Sequence, residues 1–240
     1  MAEALYLNDA YIKEWTTKIV SVNDAGNGRS FIVLDKTAFY PKGGGQPHDE
    51  GVLIKDCKEY QVIFTVKLSG EISNEVDNNG NEPLKQNDIV QCKLNWERRY
   101  RLMKMHTACH VFAGVLHKET GAMITGNQLD IDQSRIDFSV EQYNPEKLIE
   151  YVNKANVILN EGHNNKIYYL DKNADVDKFL RLAKGLPPNI TNIRIVEIEG
   201  FDAQPDGGTH VHNTKEVGRI MFQKSENKGK NNRRVYLSLE

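Results

Sequence analysis

Two histidines in the segment MHTACH (residues 105–110) have a spacing that could do chemistry. His106 and His110 are four residues apart, about one turn of a helix, so both imidazoles can point into the same small volume. A third imidazole, His210, follows the Gly-Gly-Thr segment 207–209, where glycine lets the backbone pack closely against a ligand. Three converging imidazoles would form a site for a divalent ion, and zinc is the best candidate.

The histidine pair also has an interpretation without any metal. Histidines at this spacing occur as hydrogen-bonded core pairs or along a solvated helix edge. The pair is not the metalloprotease motif, because His-Glu-x-x-His needs a glutamate directly after the first histidine and Thr107 stands there. Cys109 could be a nucleophile or a ligand, but we interpret it as a small buried apolar residue.

The composition is that of an ordinary globular protein. The chain has 240 residues, of which 39% are apolar and 27% charged, which is enough for one large domain or two modest ones. It lacks both a long apolar run and a basic start followed by an apolar segment, so we expect no membrane span and no secretory signal. Three cysteines fit a reducing compartment, and we expect a cytoplasmic location. The net charge of −2 argues against non-specific coating of nucleic acid but permits a local basic surface.

Residues 1–95 have the pattern of a small antiparallel β-barrel or sandwich. Short apolar or alternating runs recur at close spacing and are separated by Gly, Asn and Asp, as in the turn Asn78–Asn81. The predicted strands are Tyr11–Val22, Ser30–Asp35, Gly51–Ile54, Tyr60–Val66 and Ile89–Leu94.

The segment TAFYPKGGGQP (residues 37–47) interrupts this pattern. Three consecutive glycines lose much entropy on ordering, so a fixed Gly-Gly-Gly run indicates unusual dihedrals or close approach of the backbone to something. The segment lacks the ending of a phosphate-binding P-loop and the spacing of a dinucleotide fingerprint, and both are rejected. Taken alone, the run could also be a flexible loop.

After residue 95 the pattern becomes mixed. Leu102, Met105, Cys109 and Phe112 recur at three and four residues, which predicts a helix that carries both histidines and ends near Gly121. The remaining predictions are strands at 136–140, 167–170 and 192–198, helices at 145–161 and 175–182, a loop at 202–212, and a final hairpin of 217–224 and 233–239. This mixture predicts an α+β domain over residues 96–240.

Two basic segments could contact nucleic acid. The helix start WERRYR (residues 96–101) mixes Arg with aromatic residues, although a solvated helix start has the same composition. Residues 224–234 of the final hairpin are rich in Lys, Arg and Asn. Such a run is usually a solvated hairpin tip, but it could also follow an RNA backbone.

Taken together, these segments resemble the free-standing alanyl-tRNA editing proteins of the AlaX type. The resemblance rests on TAFYP running into GGGQ (37–46), HTACH (106–110), GGTHV (207–211) and TKEVG (214–218). Each motif is weak alone, but the order of the motifs and their separation are specific. The resemblance covers nearly the whole chain. The resemblance to the medium-length form implies a barrel domain with the glycine-rich motif at 1–95 and a metal-binding editing domain at 96–240.

The resemblance implies hydrolysis of the ester that joins a wrong amino acid, serine or glycine, to alanine tRNA. The mischarged tRNA is therefore the expected partner, no membrane is expected, and the oligomeric state stays open. An active site rarely rejects amino acids that differ by one hydroxyl or methyl group by more than about a hundredfold through binding alone. A second, hydrolytic site supplies the missing selection.

The resemblance also implies the ligands of one zinc ion per chain. They fall on His106, His110 and His210, with Asp206 at the position where the family commonly has a cysteine. A carboxylate can bind zinc, and water can equally fill that position. The ion would either activate water or position the substrate while polar side chains hold the attacking water. We favour positioning.

Further site residues are implied in the same way. Thr37 and Gln46 correspond to the groups that bond the serine hydroxyl, and such a buried polar group would be left unpaired by alanine. The expected substrate-binding residues are Gly43, Gly44, Gly45 and Thr209. One of Asp130, Asp132 and Asp137 is expected to support the pocket, and the sequence does not assign which.

Two other classes of function compete with editing. The chain could be a metal-stabilised tRNA-binding module whose catalysis has lapsed, with Asp206 marking the change. It could also be a different metal-dependent hydrolase that acts on small esters or amides. Three histidines with a weak fourth ligand favour an enzyme, because a structural zinc site has four firm ligands whereas a catalytic site keeps an open position.

Overall fold

The computed structural model describes residues 2–139, 144–171, 175, 179, 181, 192–229 and 231–240. The chain divides into two compact units, Met1–Arg101 and Leu102–Glu240, and each is described by itself. The predicted domains, 1–95 and 96–240, stay a prediction. Among the helices of the described ranges, none combines the length and hydrophobicity that a bilayer crossing needs.

The first unit contains a closed antiparallel barrel. The strands of this unit are β1 (Glu3–Ala4), β2 (Glu14–Gly26), β3 (Arg29–Leu34), β4 (Lys36–Thr37), β5 (Gly51–Lys55), β6 (Lys58–Leu68), β7 (Glu71–Asp77) and β8 (Ile89–Leu94). The barrel order is β2-β3-β7-β6-β5-β8, and the short strands β1 and β4 pair in parallel outside it. The predicted antiparallel barrel is confirmed, and β7 is the barrel strand that the sequence did not predict.

Alternation along the strands fills the barrel. Trp15, Thr17 and Ile19 of β2 are buried while their neighbours are exposed, as expected for a strand with one face toward the core. The Trp15 ring packs edge-on against Phe39, with ring centroids 4.8 Å apart. This contact brings the start of the glycine-rich segment into the barrel core.

The glycine run forms a tight turn. The Gly43 N–H donates to the Gln46 carbonyl at 3.1 Å, and the Gln46 N–H donates back at 2.8 Å. Gly44 and Gly45, the two central residues, have φ of +57° and +84°, the left-handed values that a type I′ turn requires. The expectation of unusual dihedrals is therefore confirmed at these two glycines.

A buried ion pair anchors the rest of this segment. Arg99 and Asp49 have fully buried side chains, and the Arg99 Nε atom donates to the Asp49 carboxylate at 2.9 and 3.0 Å. The guanidinium also donates to the carbonyls of Ala10, at 2.9 Å, and Ala38, at 2.6 Å. Arg99 therefore binds both ends of the segment 38–49, at Ala38 and at Asp49. The Asp49 carboxylate also accepts from the Tyr40 N–H at 2.7 Å, which fixes the segment further.

The second unit combines helices with two antiparallel sheets. Its elements are α1 (Trp96–Thr120, which begins in the first unit), β9 (Ile124–Gln128), β10 (Ser134–Phe138), α2 (Pro145–Glu161), β11 (Asn165–Asp171), β12 (Asn192–Ile198), β13 (Asp202–Pro205), a 3-10 helix (Thr214–Val217), β14 (Ile220–Asn227) and β15 (Arg233–Leu239). The sheets have the orders β14-β15-β10-β9 and β11-β12-β13. The predicted α+β fold is confirmed.

Local signals account for the best boundary predictions. Helix α2 has the predicted bounds because Asn144 caps it, accepting from the Glu146 N–H at 2.9 Å, and Gly162 ends it at φ +85°. Residues 202–205 form strand β13 instead of the predicted loop, because pairing with β12 decides their conformation. The predicted helix at 175–182 lies outside the described residues, apart from residues 175, 179 and 181.

Helix α1 is buried on every side in its central part. The sequence predicts an apolar stripe, yet all residues from Met105 to Leu116 are buried. The helix lies against both sheets of the second unit, with the Phe112 ring 5.8 Å from Phe138 of β10 and the Gln204 amide of β13 3.5 Å from the His110 carbonyl. Polar side chains in this stretch therefore need partners inside the protein.

The close packing of β5 gives a test of the barrel. A Cβ atom at Gly51 would collide with the Lys93 carbonyl oxygen and approach the Phe39 ring to 2.8 Å. We expect Gly51→Ala to lower the free energy of unfolding by about 1–3 kcal/mol, measured by urea unfolding. Gly43→Ala is the matched control, because its Cβ would meet neighbouring atoms only at 3.8 Å. Equal stability of the two variants would contradict the packing described here.

Candidate metal centre

The structure brings the four predicted metal ligands together. His106 and His110 come from α1, and Asp206 and His210 from the loop after β13, with one ligand atom of each within 4.8 Å of the others. The Nε2 atoms of the three histidines lie 3.4, 3.8 and 3.1 Å from an Asp206 carboxylate oxygen. Tetrahedral zinc with bonds of about 2.0–2.2 Å holds its donors roughly 3.3–3.6 Å apart. The donor types and spacing therefore fit a zinc-sized ion.

The loop that carries Asp206 and His210 is fixed by hydrogen bonds. Arg194 of β12 donates to the carbonyls of Asp206 and Gly208 at 2.8 and 3.1 Å. The Gly208 N–H in turn donates to Asp206 Oδ1 at 2.5 Å, the Asx-turn geometry that glycine and aspartate favour. Thr209, fully buried, directly precedes His210. The loop thus presents a carboxylate and an imidazole to the helix in one orientation.

Burial and mutual contacts shift the pKa values of His106, His210 and Asp206. The side chains of His106 and His210 are 3% and 2% exposed, and burial lowers the pKa of His106 and lowers that of His210 well below its usual range. Burial alone would raise the pKa of Asp206, but the electrostatic influence of His106 and hydrogen bonds from the imidazoles hold it well below its usual range. Neutral imidazoles beside an ionised carboxylate are the form that binds a divalent ion.

The cluster has an accessible side. The side chains of Asp206 and His110 are 16% and 10% exposed, more than those of the other two candidate ligands. The small exposed area of the cluster therefore belongs mostly to Asp206 and His110. A catalytic metal site requires such access, whereas a purely structural site is closed by its ligands.

Thr107 is a member of the site that the sequence analysis did not assign. Its Oγ1 atom lies 3.2 Å from His210 Nδ1 and accepts from the Val211 N–H at 3.3 Å, with the Asn165 amide at 3.5 Å. Since His210 Nε2 faces Asp206, a metal-binding His210 carries its proton on Nδ1 and donates it to Thr107. The one signal in the sequence was a hydroxyl between two histidines of an apolar helix.

The residues expected to bind substrate divide between the two units. Thr209 lies in the second unit beside His210, whereas Thr37, Gln46 and the glycines 43–45 belong to the first. Thr37 is fully buried and its Oγ1 atom accepts from the Phe39 N–H at 3.1 Å. Gln46 is 1% exposed. The roles of these residues in recognising serine stay predictions.

The three acidic candidates lie outside the group of four. Asp137 binds Arg234 through both carboxylate oxygens, at 2.7 and 2.8 Å, and Arg135 at 3.1 Å. Asp130 holds a local turn through the Ile131 N–H at 2.7 Å, and Asp132 is exposed. A pocket-supporting role for one of them stays a prediction.

Cys109 behaves as a buried apolar residue. It is 6% exposed, and burial raises the pKa of its thiol to about 12. A thiol with this pKa stays protonated near neutral pH and is a poor nucleophile, and Cys109 is not among the four side chains whose ligand atoms converge. This supports the interpretation made from the sequence.

The protonation of the cluster predicts a pH dependence of metal binding. Protons compete with the ion for the imidazoles, so affinity falls as the pH decreases. The pKa values of His106 and His210 are lowered from 6.5. We therefore expect the pH midpoint of the fall in zinc affinity to lie below 6.5. Competition titration with a chromophoric chelator measures this. A midpoint above pH 6.5 would contradict the assignment of these histidines as ligands.

The Asp206→Asn variant lacks the carboxylate charge, so we expect it to bind zinc more weakly than wild type at every pH.

The Thr107 hydroxyl predicts an effect on affinity without loss of any ligand. Thr107→Val removes the acceptor for His210 Nδ1, and we expect zinc affinity to fall roughly 10- to 100-fold. Thr107→Ser retains the hydroxyl and should bind nearly as wild type. Melting curves in excess chelator check that both variants are folded. Wild-type affinity in folded Thr107→Val protein would remove Thr107 from the site.

Comparison with known protein families gives two matches. Residues 8–98 match the family described as class II (A) tRNA synthetases. Residues 193–236 match the second additional domain of threonyl and alanyl tRNA synthetases. The second match contains Asp206 and His210, the loop half of the candidate metal centre.

Individual relatives extend the similarity over the whole chain. The alanyl-tRNA editing protein AlaX-M of Methanosarcina mazei is 46% identical, and the alignment covers 100% of this chain and 97% of that protein. AlaX-M of Saccharolobus solfataricus is 43% identical, with 100% of both chains covered. The alanine–tRNA ligase of Pyrococcus furiosus is 34% identical over 92% of this chain but only 24% of its own length. The resemblance noted in the sequence is therefore confirmed, and the chain belongs to the AlaX-M family of alanyl-tRNA editing proteins.

Proposed function

We propose that the protein is a metal-dependent deacylase that hydrolyses the ester of serine, and of glycine, on alanine tRNA. The observation that carries this proposal is the cluster of three imidazoles and Asp206, whose ligand atoms lie within 4.8 Å of one another, in a chain of the AlaX-M family. Deacylation is the activity that membership of this family implies. We expect the protein to act in the cytoplasm on tRNA released by alanine–tRNA ligase.

The chain's residues have separate tasks in this proposal. His106, His110, His210 and Asp206 hold the ion, and Thr107 fixes the ring of His210 through Nδ1. When bound, a divalent ion would supply a positive centre that positions the substrate, the role favoured here, or that polarises an ester or lowers the pKa of water. The substrate approaches from the side of Asp206 and His110, whose side chains carry the exposed area. Hydrolysis adds water across the ester and releases the amino acid and the terminal hydroxyl of the tRNA.

Selection of serine over alanine is assigned to Thr37 and Gln46, with the glycines 43–45 and Thr209 as further substrate-binding residues. Thr37 Oγ1 accepts a backbone hydrogen bond, so its own proton can be donated to the hydroxyl of a bound serine. A buried polar group that alanine leaves unpaired costs about 1–3 kcal/mol. Such a cost discriminates between amino acids that differ by this hydroxyl alone.

A deacylation assay tests the proposal. The purified protein is given Ser-, Gly- and Ala-charged alanine tRNA, with chelator and again after zinc is restored. We expect chelator-sensitive hydrolysis of the serine ester, with the alanine ester spared. His106→Ala and His210→Ala should lose bound zinc and activity together. Asp206→Cys restores the ligand common in the family, and we expect it to remain active and to bind zinc more tightly.

The alternatives give different results in the same assay. Binding of tRNA with no ester cleaved would support a metal-stabilised binding module. Cleavage of small esters at the same rate as the tRNA ester would indicate a hydrolase of another substrate class. Normal turnover by metal-free His210→Ala protein would overturn the metal site itself.

A further inference from the structure

The final hairpin, residues 220–239, has a charge opposite to that of the whole chain. It contains five Lys or Arg residues and one Glu, whereas the chain has a net charge of −2. Its strands β14 and β15 belong to the four-stranded sheet that also contains β10 and β9. The hairpin therefore concentrates positive charge on one sheet of a mildly acidic protein.

Strand register places Lys224, Glu226 and Arg234 of the hairpin on one face, in two rows with residues of β10. Lys224, Tyr236 and Arg135 are direct partners across β14, β15 and β10. Glu226, Arg234 and Asp137 are partners in the next row of the same face. We call this surface the basic sheet face; it comprises these six residues together with Lys228 of the hairpin turn.

The basic sheet face points away from helix α1. Phe138 of β10 packs its ring against Phe112 of α1. Phe138 and Ile136, which lie on the same side of β10, are each only 1% exposed. Because successive side chains of a strand point to opposite sides, Arg135 and Asp137 lie on the outer side of the sheet. The face is thus a surface separate from the candidate metal centre, which α1 helps to form.

Hydrogen bonds hold the arginines of this face in place. Asp137 accepts from both Arg135 and Arg234, so one carboxylate is shared by two guanidiniums and a positive charge is left over. Gly126 of β9 is the register partner of Asp137, and a Cβ atom there would lie 3.3 Å from the Asp137 carboxylate. The absence of a side chain at Gly126 leaves room on that strand for the Asp137 carboxylate, whose side chain is 10% exposed.

An aromatic ring lies between the cations. Lys224 Nζ is 4.5 Å from the centre of the Tyr236 ring, within the range of a cation–π contact. The Tyr236 hydroxyl donates to Glu226 at 3.3 Å. Side-chain exposures of 55% for Lys224, 39% for Lys228, 29% for Arg135 and 20% for Arg234 leave the cations accessible to a partner.

We propose that the basic sheet face binds the sugar–phosphate backbone of the tRNA substrate, an inference that rests on the proposed function. Guanidinium forks and lysines match phosphate oxygens, and a protein with negative net charge needs a local basic surface to hold a polyanion. Contacts of this kind fix the orientation of the nucleic acid and carry no sequence information. The face therefore contributes affinity, while selection of the amino acid occurs at the cluster.

Charge reversal on the face tests the inference. The test protein carries Lys224→Glu and Lys228→Glu. The matched control carries Lys154→Glu and Lys166→Glu, whose side chains are 52% and 56% exposed and paired with glutamates, as Lys224 is with Glu226. Both proteins undergo the same change in net charge. Melting temperatures check that both are folded.

Binding of uncharged alanine tRNA is measured as a function of salt concentration. We expect the test protein to bind more weakly and to lose about 1 unit of salt slope for each lysine, whereas the control keeps the wild-type slope. With Ser-charged tRNA, KM should rise in the test protein while kcat stays unchanged. Hydrolysis of a seryl ester of adenosine, which lacks the backbone, should be unaffected in both proteins.

The outcomes separate this inference from the proposed function. Wild-type affinity and slope in the test protein, or equal losses in test and control, overturn the inference even when the serine ester is cleaved. Loss of tRNA binding in the test protein alone supports the inference even if no ester is hydrolysed. Loss of binding to phosphatidylserine vesicles with tRNA binding intact would assign the face to an anionic membrane surface and overturn the inference.

Discussion

Helix α1 carries two imidazoles and a hydroxyl in a stretch whose residues are all buried, and the second unit supplies partners for them. Buried polar groups without partners are costly. His106 and His110 meet the Asp206 carboxylate, and the Thr107 hydroxyl meets His210 and the Val211 N–H. The loop that supplies these partners is itself held by Arg194. The candidate metal centre is thus part of the core, and its geometry follows from the packing of the helix.

The start of the same helix holds a second buried polar group. Arg99 makes an ion pair with Asp49 inside the first unit and binds two carbonyls besides. Buried pairs of this kind add little net stability, but removing one partner leaves an uncompensated charge. Asp49 also accepts from the Tyr40 N–H, so the pair determines the path of the segment that contains the turn at Gly44 and Gly45. In each unit, polar side chains of helix α1 therefore hold a loop in place. In the first unit the loop is the glycine-rich segment, which the resemblance associates with substrate, and in the second it is the loop with Asp206 and His210, which the resemblance associates with metal.

Elements with strong local signals could be predicted from the sequence, and elements that depend on pairing could not. Helix α2 has the predicted bounds, 145–161, and the structure shows that Asn144 and Gly162 fix its ends locally. Strand β13 is short, ends in Pro205 and, among the described strands, pairs only with β12, so its conformation depends on a distant partner. Histidine spacing indicated a site, whereas the role of Thr107 required knowledge of which ring nitrogen faces it.

The carboxylate at Asp206, a position where the resemblance implies a cysteine in the family, has a consequence for chemical durability. Thiolate ligands are oxidised stepwise by peroxide, and a zinc site that depends on one loses its ion when this happens. The four candidate ligands here are three imidazoles and a carboxylate, and the nearby thiol of Cys109 is kept protonated by burial, which raises its pKa to about 12. A centre with these four ligands would keep them under oxidants that attack a thiolate ligand.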